Sequence, residues 1–546
     1  MSTDEQAAPA TGERGAFFAR QATGLVREGK TYDAWIYNVM WSGGALTLAF
    51  MYLLVPTLYP GANLIATVLI SAGLGLGGAF LYAYLTTLMP RTGGDYVFIS
   101  RTLHPAIGFA ANFSYVLWNM VVAGVYATFM STYCIGAFLR MLVGFGASHS
   151  LLSTADWFVT DWGIFVSGTV MTIIAALIFV LGGTHFFFRL QQASFAIYII
   201  GAFALVVIVG LLTSHGSFLS SFNDYAANLG TPDAAQKAVK SAAKAGYSNQ
   251  GFNFHDTLKA VSVAWFIFGF IFSSNYFAGE VKTGRRTQFY AIPGAVAFVV
   301  ICLLITVPSF QHMVDRNFIN QLGSADPAAY GFSGGAPAYP ELAAIGTGSP
   351  VLGAIIILGF AAGIFAWMPM TMMLASRCML AWSFDKVMPE KLSAVDERTH
   401  SPILAVLVVA VLFIASTAAY AFTTWFTTLT VLFPETLTLL AVAVAGMVLP
   451  YRRRQLYESS ARARKIAGIP ALTVVAFIAF IGFLAAEIIL LTDPGSGTSI
   501  TDNPKIALIS LGIFFVVGPL IYVGSRALRR SQGVDLDLAY AEIPPE

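Results

Sequence analysis

Residues 41–44 read Trp-Ser-Gly-Gly, and residues 269–275 read Gly-Phe-Ile-Phe-Ser-Ser-Asn, each inside an apolar run long enough to cross a bilayer. Glycine and serine weaken a helix interior by entropy and by exposing backbone. In hydrocarbon, loosened backbone is tolerated only where protein buries it or it lines a wet cavity. A helix broken there presents bare N–H groups at the start of one half and bare C=O groups at the end of the other. Such N–H groups suit a carboxylate and such carbonyls an ammonium, so the chemistry on offer is recognition of a small zwitterion. Close packing of neighbouring helices on small residues is the competing explanation.

Signals for bond-making chemistry are missing. The sequence has no GxSxG, no HExxH and no P-loop, and its seven histidines are scattered without ligand spacing. Cys134, Cys302 and Cys378 form no CxxC pair. No enzyme activity, metal or cofactor is expected.

The elements that must position the two interruptions are membrane spans. The chain of 546 residues is 57% hydrophobic and 11% charged with mean hydropathy +0.72, against roughly 25% charged residues in soluble domains. A net charge of +2 gives no sign of a nucleic-acid partner. Runs of ~20 apolar residues, the length a bilayer requires, fall near 33–58, 62–89, 105–139, 162–182, 190–214, 260–279, 287–309, 351–376, 402–421, 424–449, 466–492 and 506–525. That makes twelve spans, the third long enough to tilt strongly, with a soft boundary between the ninth and tenth around Ala421 to Trp425.

The N-terminal 30 residues are polar, lack the apolar core of a cleaved signal and read as a cytosolic tail. With that end inside, 23 of the 30 lysines and arginines fall on the cytosolic side, as the positive-inside rule requires. Both termini are therefore expected in the cytosol. The long outer segments, roughly 215–258 and 310–349, are rich in Gly, Ala, Pro, Ser and Asn and read as connectors. The interrupted spans are the first and the sixth, five apart, the pattern of a transporter built from inverted repeats.

With that pattern in place, the sequence resembles the amino acid–polyamine–organocation permeases over nearly all twelve spans. MPRTGGDYVFISRTLHPAIGF (89–109) is similar to that family's Pro-x-Ser/Thr-Gly-Gly-x-Tyr segment, and AGEVKTGRRTQFYAIPGAV (278–296) to its Glu-x-Lys-x-Pro-x-Arg signature, with Gly284 in place of the proline. SRCMLAWSFDKVMPEKLSAV (376–395) and VLPYRRR (448–454) match in order and side. The resemblance implies an all-α integral membrane fold of twelve transmembrane helices, a 5+5 inverted repeat of the leucine-transporter type with broken helices 1 and 6. The repeats would be 31–214 and 259–449, joined by an extracytoplasmic loop 215–258, followed by two spans in 450–526, with tails at 1–30 and 527–546.

The same resemblance places substrate at mid-membrane between spans 1, 3, 6, 8 and 10. YNVMWSGG (37–44) overlies the family's Asn-Ile-Met-Gly-Ser-Gly: Asn38, Ser42 and Gly43 match, Gly44 follows, and Trp41 replaces the usual first glycine. That replacement narrows the cavity or swings an indole into it. Trp118 and Asn119 fall at substrate-facing positions of span three, Phe266 at the aromatic gate of span six, and Gly269, Phe270 and Ser273 at its break. Thr371 falls at an aromatic-lid position of span eight, one turn after Trp367. Each aromatic has a plain core reading beside the cavity reading. Asn119 needs a partner and hence the interior. Arg91, Arg101, Lys282 and Arg286 are assigned to topology and an inner gate.

For energy coupling, Tyr198 stands where proton-coupled relatives carry a span-five lysine, and Ser42 with Thr371 is too small a set for a sodium site. Glu435, drawn about 16 Å from the outer end of span ten, is the candidate proton site or cation contact; a later helix start would instead put it at the rim. Glu487 reads as interfacial. The expectation is a cytoplasmic-membrane secondary transporter of amino acids. A polyamine or organocation carrier is the alternative, and a channel or non-transporting receptor the alternative of another class. Partners are a small-molecule substrate, a coupling proton at most, and the lipid bilayer.

Overall fold

The computed structural model describes residues 24–282, 284–332, 334–426, 430–501, 503–536 and 540, with side chains for all of these but 284–287. Residues 1–23 of the expected N-terminal tail, and 537–539 and 541–546 of the C-terminal one, lie outside the described residues, as does the Arg286 side chain.

The first interrupted run forms α1 (Thr31–Trp41) and α2 (Gly44–Leu58), separated by Ser42 and Gly43. Gly43 has φ +55°, a left-handed backbone that side chains with a Cβ rarely adopt. Next come α3 (Leu64–Leu88), capped by the Asn63 side chain, and α4 (Pro105–Gly144), which passes through a π-type stretch at Phe129–Gly136 and runs five residues past the expected end. The fourth and fifth expected spans are one helical run, α5 (Asp161–Leu212). Its helical dihedrals are broken at Gly183 (φ +64°), where a Cβ would lie 2.1 Å from the Thr399 carbonyl oxygen.

The second interrupted run forms α6 (Val261–Phe268), whose helix stops at Gly269 and resumes only as a 3-10 turn at Ser273–Tyr276. After it come α7 (Gly284–Val314), α8 (Pro350–Phe384), α9 (Ile403–Phe422), α10 (Leu432–Arg452), α11 (Ala471–Thr492) and α12 (Pro504–Ser531). A short hairpin, β1 (Lys465–Ile466) with β2 (Ile469–Pro470), leads into α11. Eleven helices among the described residues are long and apolar enough to cross a membrane. α3 packs lengthwise on α7 and α11, α10 on α11, and α1 on α7.

Two expectations are corrected. The segments 215–258 and 310–349 are not plain connectors: they fold into the helices His215–Asn228, Ala234–Lys244, Phe254–Lys259, Arg316–Ser324 and Tyr339–Gly346. Small residues disguise them, because Ala234, Ala235, Ala238 and Ala242 form a buried face with little hydropathy of its own. A buried bidentate pair, Arg140 Nε and Nη2 on Glu341 at 3.2 and 2.9 Å, pins the last of these helices to α4. The tenth span begins at Leu432 rather than 424, which puts Glu435 in its first turn. Glu487, near the end of α11, is 3% exposed and thus covered by protein.

Candidate functional site

The two interruptions meet, and one side chain ties them together. Asn38, near the end of α1, accepts from the Ser274 amide at 2.9 Å and donates from Nδ2 to Ser274 Oγ at 3.0 Å. Ser274 Oγ in turn donates to Gln288 Oε1 of α7 at 2.7 Å. All three residues are buried, so each polar group needs a partner, and each finds it in another element.

Several backbone groups stay open around this clamp. At the start of α2, the Ala45 amide donates to the Tyr198 hydroxyl at 2.9 Å, while the amides of Gly44 and Leu46 make no hydrogen bond among the described residues. Beyond α6, the amides of Phe270, Ile271 and Phe272 are likewise open, while the Phe270 carbonyl accepts from the Ser273 amide and hydroxyl. Gly269 keeps right-handed dihedrals, and its amide bonds back to Trp265. The break therefore begins after it.

Aromatic rings fill the space between the breaks. Tyr37 stacks on Trp41 (centroids 5.5 Å, planes 6° apart), Trp41 on Trp367 (6.3 Å, 23°), and Trp367 on Phe266 (5.4 Å, 18°). Phe270 meets Phe266 edge-on at 5.2 Å. Offset stacking of this kind adds about 0.5–1.5 kcal/mol per pair beyond area burial. The Trp367 ring lies directly on Gly43, where a Cβ would come within 2.0 Å of it, and the indole N–H donates to the Met40 carbonyl at 2.6 Å. Hence only a cavity of about 10 Å³ remains beside Met40, Gly43, Tyr198 and Trp367. A cavity of about 570 Å³ opens on the far side of Phe266, among Phe50, Val125, Phe129, Ser262, Tyr420 and Leu432.

The other expected site residues divide. Thr371 donates to the Trp367 carbonyl at 2.9 Å and lies 3.5 Å from the Tyr126 hydroxyl, so Tyr126 supplies the ring that Thr371 lacks. Asn119 Nδ2 donates to the Tyr115 carbonyl at 3.0 Å and to Glu435 Oε1. Glu435 is buried despite its place in the first turn of α10, and its Oε2 makes no hydrogen bond among the described residues. Trp118 is buried, and its indole N–H makes no hydrogen bond among the described residues. Tyr115 and Tyr126 each lie within electrostatic reach of Glu435.

At the opposite end from the large cavity, Arg377 grips Glu280 with Nε–Oε1 2.8 Å and Nη2–Oε2 2.9 Å, and also reaches Thr184 Oγ1 at 2.7 Å. Arg101 pairs with Asp385 at 2.6 Å and faces the Tyr540 ring at 4.7 Å. Arg91 reaches only the neighbouring Pro90 carbonyl, and Lys282 bonds through its backbone amide to Gly29.

A family model described as Amino acid permease matches residues 34–516, a range that holds both interruptions, the aromatic stack and the Arg377–Glu280 pair. The chain belongs to the amino acid permease family. It is thus a multi-pass membrane transporter with a small-molecule substrate. No single curated protein matches the permease.

Tyr37, Tyr126 and Gln288 join this arrangement without having been singled out from sequence, whereas Glu280 was read there only as the acidic residue of the Glu-x-Lys-x-Pro-x-Arg resemblance. Tyr37 opens the very stretch read as the first-span motif, and a tyrosine one turn before Trp41 is the signal that could have found it. Gln288 had none, because its role comes from Ser274 crossing to α7.

Proposed function

We propose that this permease is a secondary active transporter that carries amino acids across the cytoplasmic membrane by alternating access, both termini cytosolic. The observation that carries the reading is the Asn38–Ser274 clamp, which holds two helix interruptions face to face at one depth. Twelve crossings on a 5+5 inverted repeat follow if α5 counts twice. Its 52 residues would extend about 78 Å as one helix against a core of ~30 Å, and Gly183 is the place to turn.

In this reading the substrate carboxylate takes the open amides of Gly44 and Leu46 together with those of Phe270–Phe272. The ammonium takes the carbonyls that end α1, foremost Met40. The Trp367 indole holds that carbonyl in the empty transporter, so arriving substrate must displace it. Phe266 and Trp367 close the site toward the large cavity, taken as the outer vestibule; Arg377–Glu280 and Arg101–Asp385 close it toward the cytosol. Trp41, Ser42, Gly43, Trp118, Asn119, Phe266, Gly269, Phe270, Ser273, Trp367 and Thr371 shape the pocket, and an aromatic lining suits a neutral, bulky side chain. Tyr198 serves the helix break as a neutral hydroxyl, which leaves Glu435 as the proton site.

An organocation carrier is the second reading, favoured by one observation: the open Oε2 of Glu435 beside the stack, a ready acceptor for a second ammonium. Counterflow in proteoliposomes with labelled neutral amino acids and diamines tests both. Saturable, exchange-accelerated uptake of neutral amino acids is expected; uptake linear in concentration, or none, overturns the transporter reading in favour of a channel or receptor.

A further inference from the structure

A second cavity, of about 620 Å³, lies at the end of α3 near Thr87 and Leu88, between the start of α7 and the connection from α10 to α11. Its polar wall is Ser459, Ser460, Arg462 and Arg464; its apolar wall is Tyr84, Leu88 and Phe289. Nothing in the transport reading uses it.

The Arg462 guanidinium sits 3.4 Å above the Phe289 ring, and the Arg462 amide is fixed by Ser460 Oγ at 3.2 Å. A stacked guanidinium keeps its in-plane N–H donors available to an oxyanion, the geometry that binds phosphate in bidentate fashion. Among the described residues neither Arg462 nor Arg464 has an ion-pair partner, whereas neighbouring Arg454 is already paired with Glu458 at 2.7 Å. Beside the cavity, large apolar side chains stand open at the surface. Tyr290, next to Phe289, is 60% exposed, and Ile466 and Ile469 on the adjoining β1–β2 hairpin are 51% and 46% exposed. Apolar side chains this open beside arginines are what a protein presents to the boundary between headgroups and acyl chains.

We propose that this cavity is a binding site for an anionic phospholipid, its phosphate held by Arg462, Arg464 and the Ser459 and Ser460 hydroxyls and its acyl chains laid along Tyr84, Leu88 and Phe289. The shared chemistry is a phosphate oxyanion; the continuity of the apolar wall with exposed Tyr290 selects the lipid over free phosphate. A lipid seated there bridges α3 and α7 to the α10–α11 connection.

The full-length protein in phosphatidylcholine nanodiscs doped with phosphatidylglycerol, read by native mass spectrometry, tests this. Preferential retention of phosphatidylglycerol is expected. Arg462→Gln with Arg464→Gln should lower that preference by about tenfold or more, from roughly 1 kcal/mol per basic residue at a membrane surface. Ala461→Trp, which fills the mouth from an exposed position and keeps both arginines, should lower it too, while Arg454→Gln, which removes as much charge as either arginine change alone but lies outside the cavity, should not. Equal retention of both lipids, or equal loss in Arg454→Gln, overturns the proposal. Displacement of the bound lipid by millimolar inorganic phosphate assigns a free-anion site and overturns it as well.

Discussion

The indole nitrogen of Trp367 donates to the carbonyl oxygen of Met40 at 2.6 Å, so a side chain of α8 takes the second lone pair of an acceptor that the Gly43 amide already reaches at 3.0 Å. The site is thereby closed by its own residue. A broken helix buried without partners would carry the desolvation penalty of every open group, and Trp367 relieves one of them until substrate arrives.

If substrate ammonium competes with that indole, Trp367→Phe should lower the KM for uptake. A hydrogen bond is worth about 0.5–1.5 kcal/mol net, which corresponds to a KM roughly 2- to 12-fold lower. The ring and its stacking on Phe266 are retained. An increased KM in concentration-dependent uptake would refute displacement of the indole.

Gly43→Ala should reduce stability and uptake together. Its Cβ would sit 2.0 Å from the Trp367 ring on a backbone at φ +55°, and the left-handed conformation alone costs about 1–2 kcal/mol. Adding Trp367→Ala removes the clash but not the strain, so partial recovery of thermal stability is the expected outcome. Full recovery would show that strain at Gly43 is negligible.

Replacing Glu435 by Gln keeps an acceptor for Asn119 and removes the charge. Uptake of neutral amino acids is expected to persist while diamine transport and any proton flux are lost. Persistence of proton-driven accumulation in Glu435→Gln proteoliposomes would move the coupling site elsewhere.

The Arg377–Glu280 pair is buried on both sides. Arg377→Met leaves an uncompensated carboxylate and should destabilise the protein by about 3–5 kcal/mol, whereas Arg377→Met with Glu280→Met should be much closer to wild type. Thermal unfolding of detergent-solubilised protein compares the two; a double variant no better than the single one would rule out charge burial as the cause.

Tyr198→Phe removes the hydroxyl that accepts from the Ala45 amide, its one partner among the described residues. A loss of about 1–3 kcal/mol is expected from the orphaned donor, with the pH dependence of uptake unchanged because the hydroxyl is a cap and not the titrating group. A shifted pH profile would give Tyr198 a coupling role.

How far the site could be read from sequence differs from residue to residue. The breaks were legible from Ser42-Gly43-Gly44 and from Gly269 with Ser273-Ser274-Asn275 inside apolar runs, although glycine alone is no signal, since α3 holds Gly73, Gly75, Gly77 and Gly78 in one unbroken helix. Asn119 was placed inside because an unpaired amide in hydrocarbon is costly. Glu435 was left between the midplane and the rim because hydropathy does not mark where a helix starts. Residues 424–431 carry no charge and still include Trp425, Phe426, Leu429 and Val431, so no strongly polar break in the sequence marks the helix start at Leu432. For Glu487, distance from a helix end gave depth along the axis but not which face is covered, and the structure buries that face.

By itself the sequence determined composition, span lengths and the two points of weak helix, since these depend on local hydropathy and backbone propensity. The tertiary structure alone decided that Asn38 meets Ser274 and that Trp367 covers Gly43. It alone also decided that Arg140 meets Glu341 and that Arg462 lies on Phe289. These contacts join residues 173 to 324 positions apart along the chain. Which of many polar and aromatic side chains pair is set by the packing of whole helices, a property no local window contains.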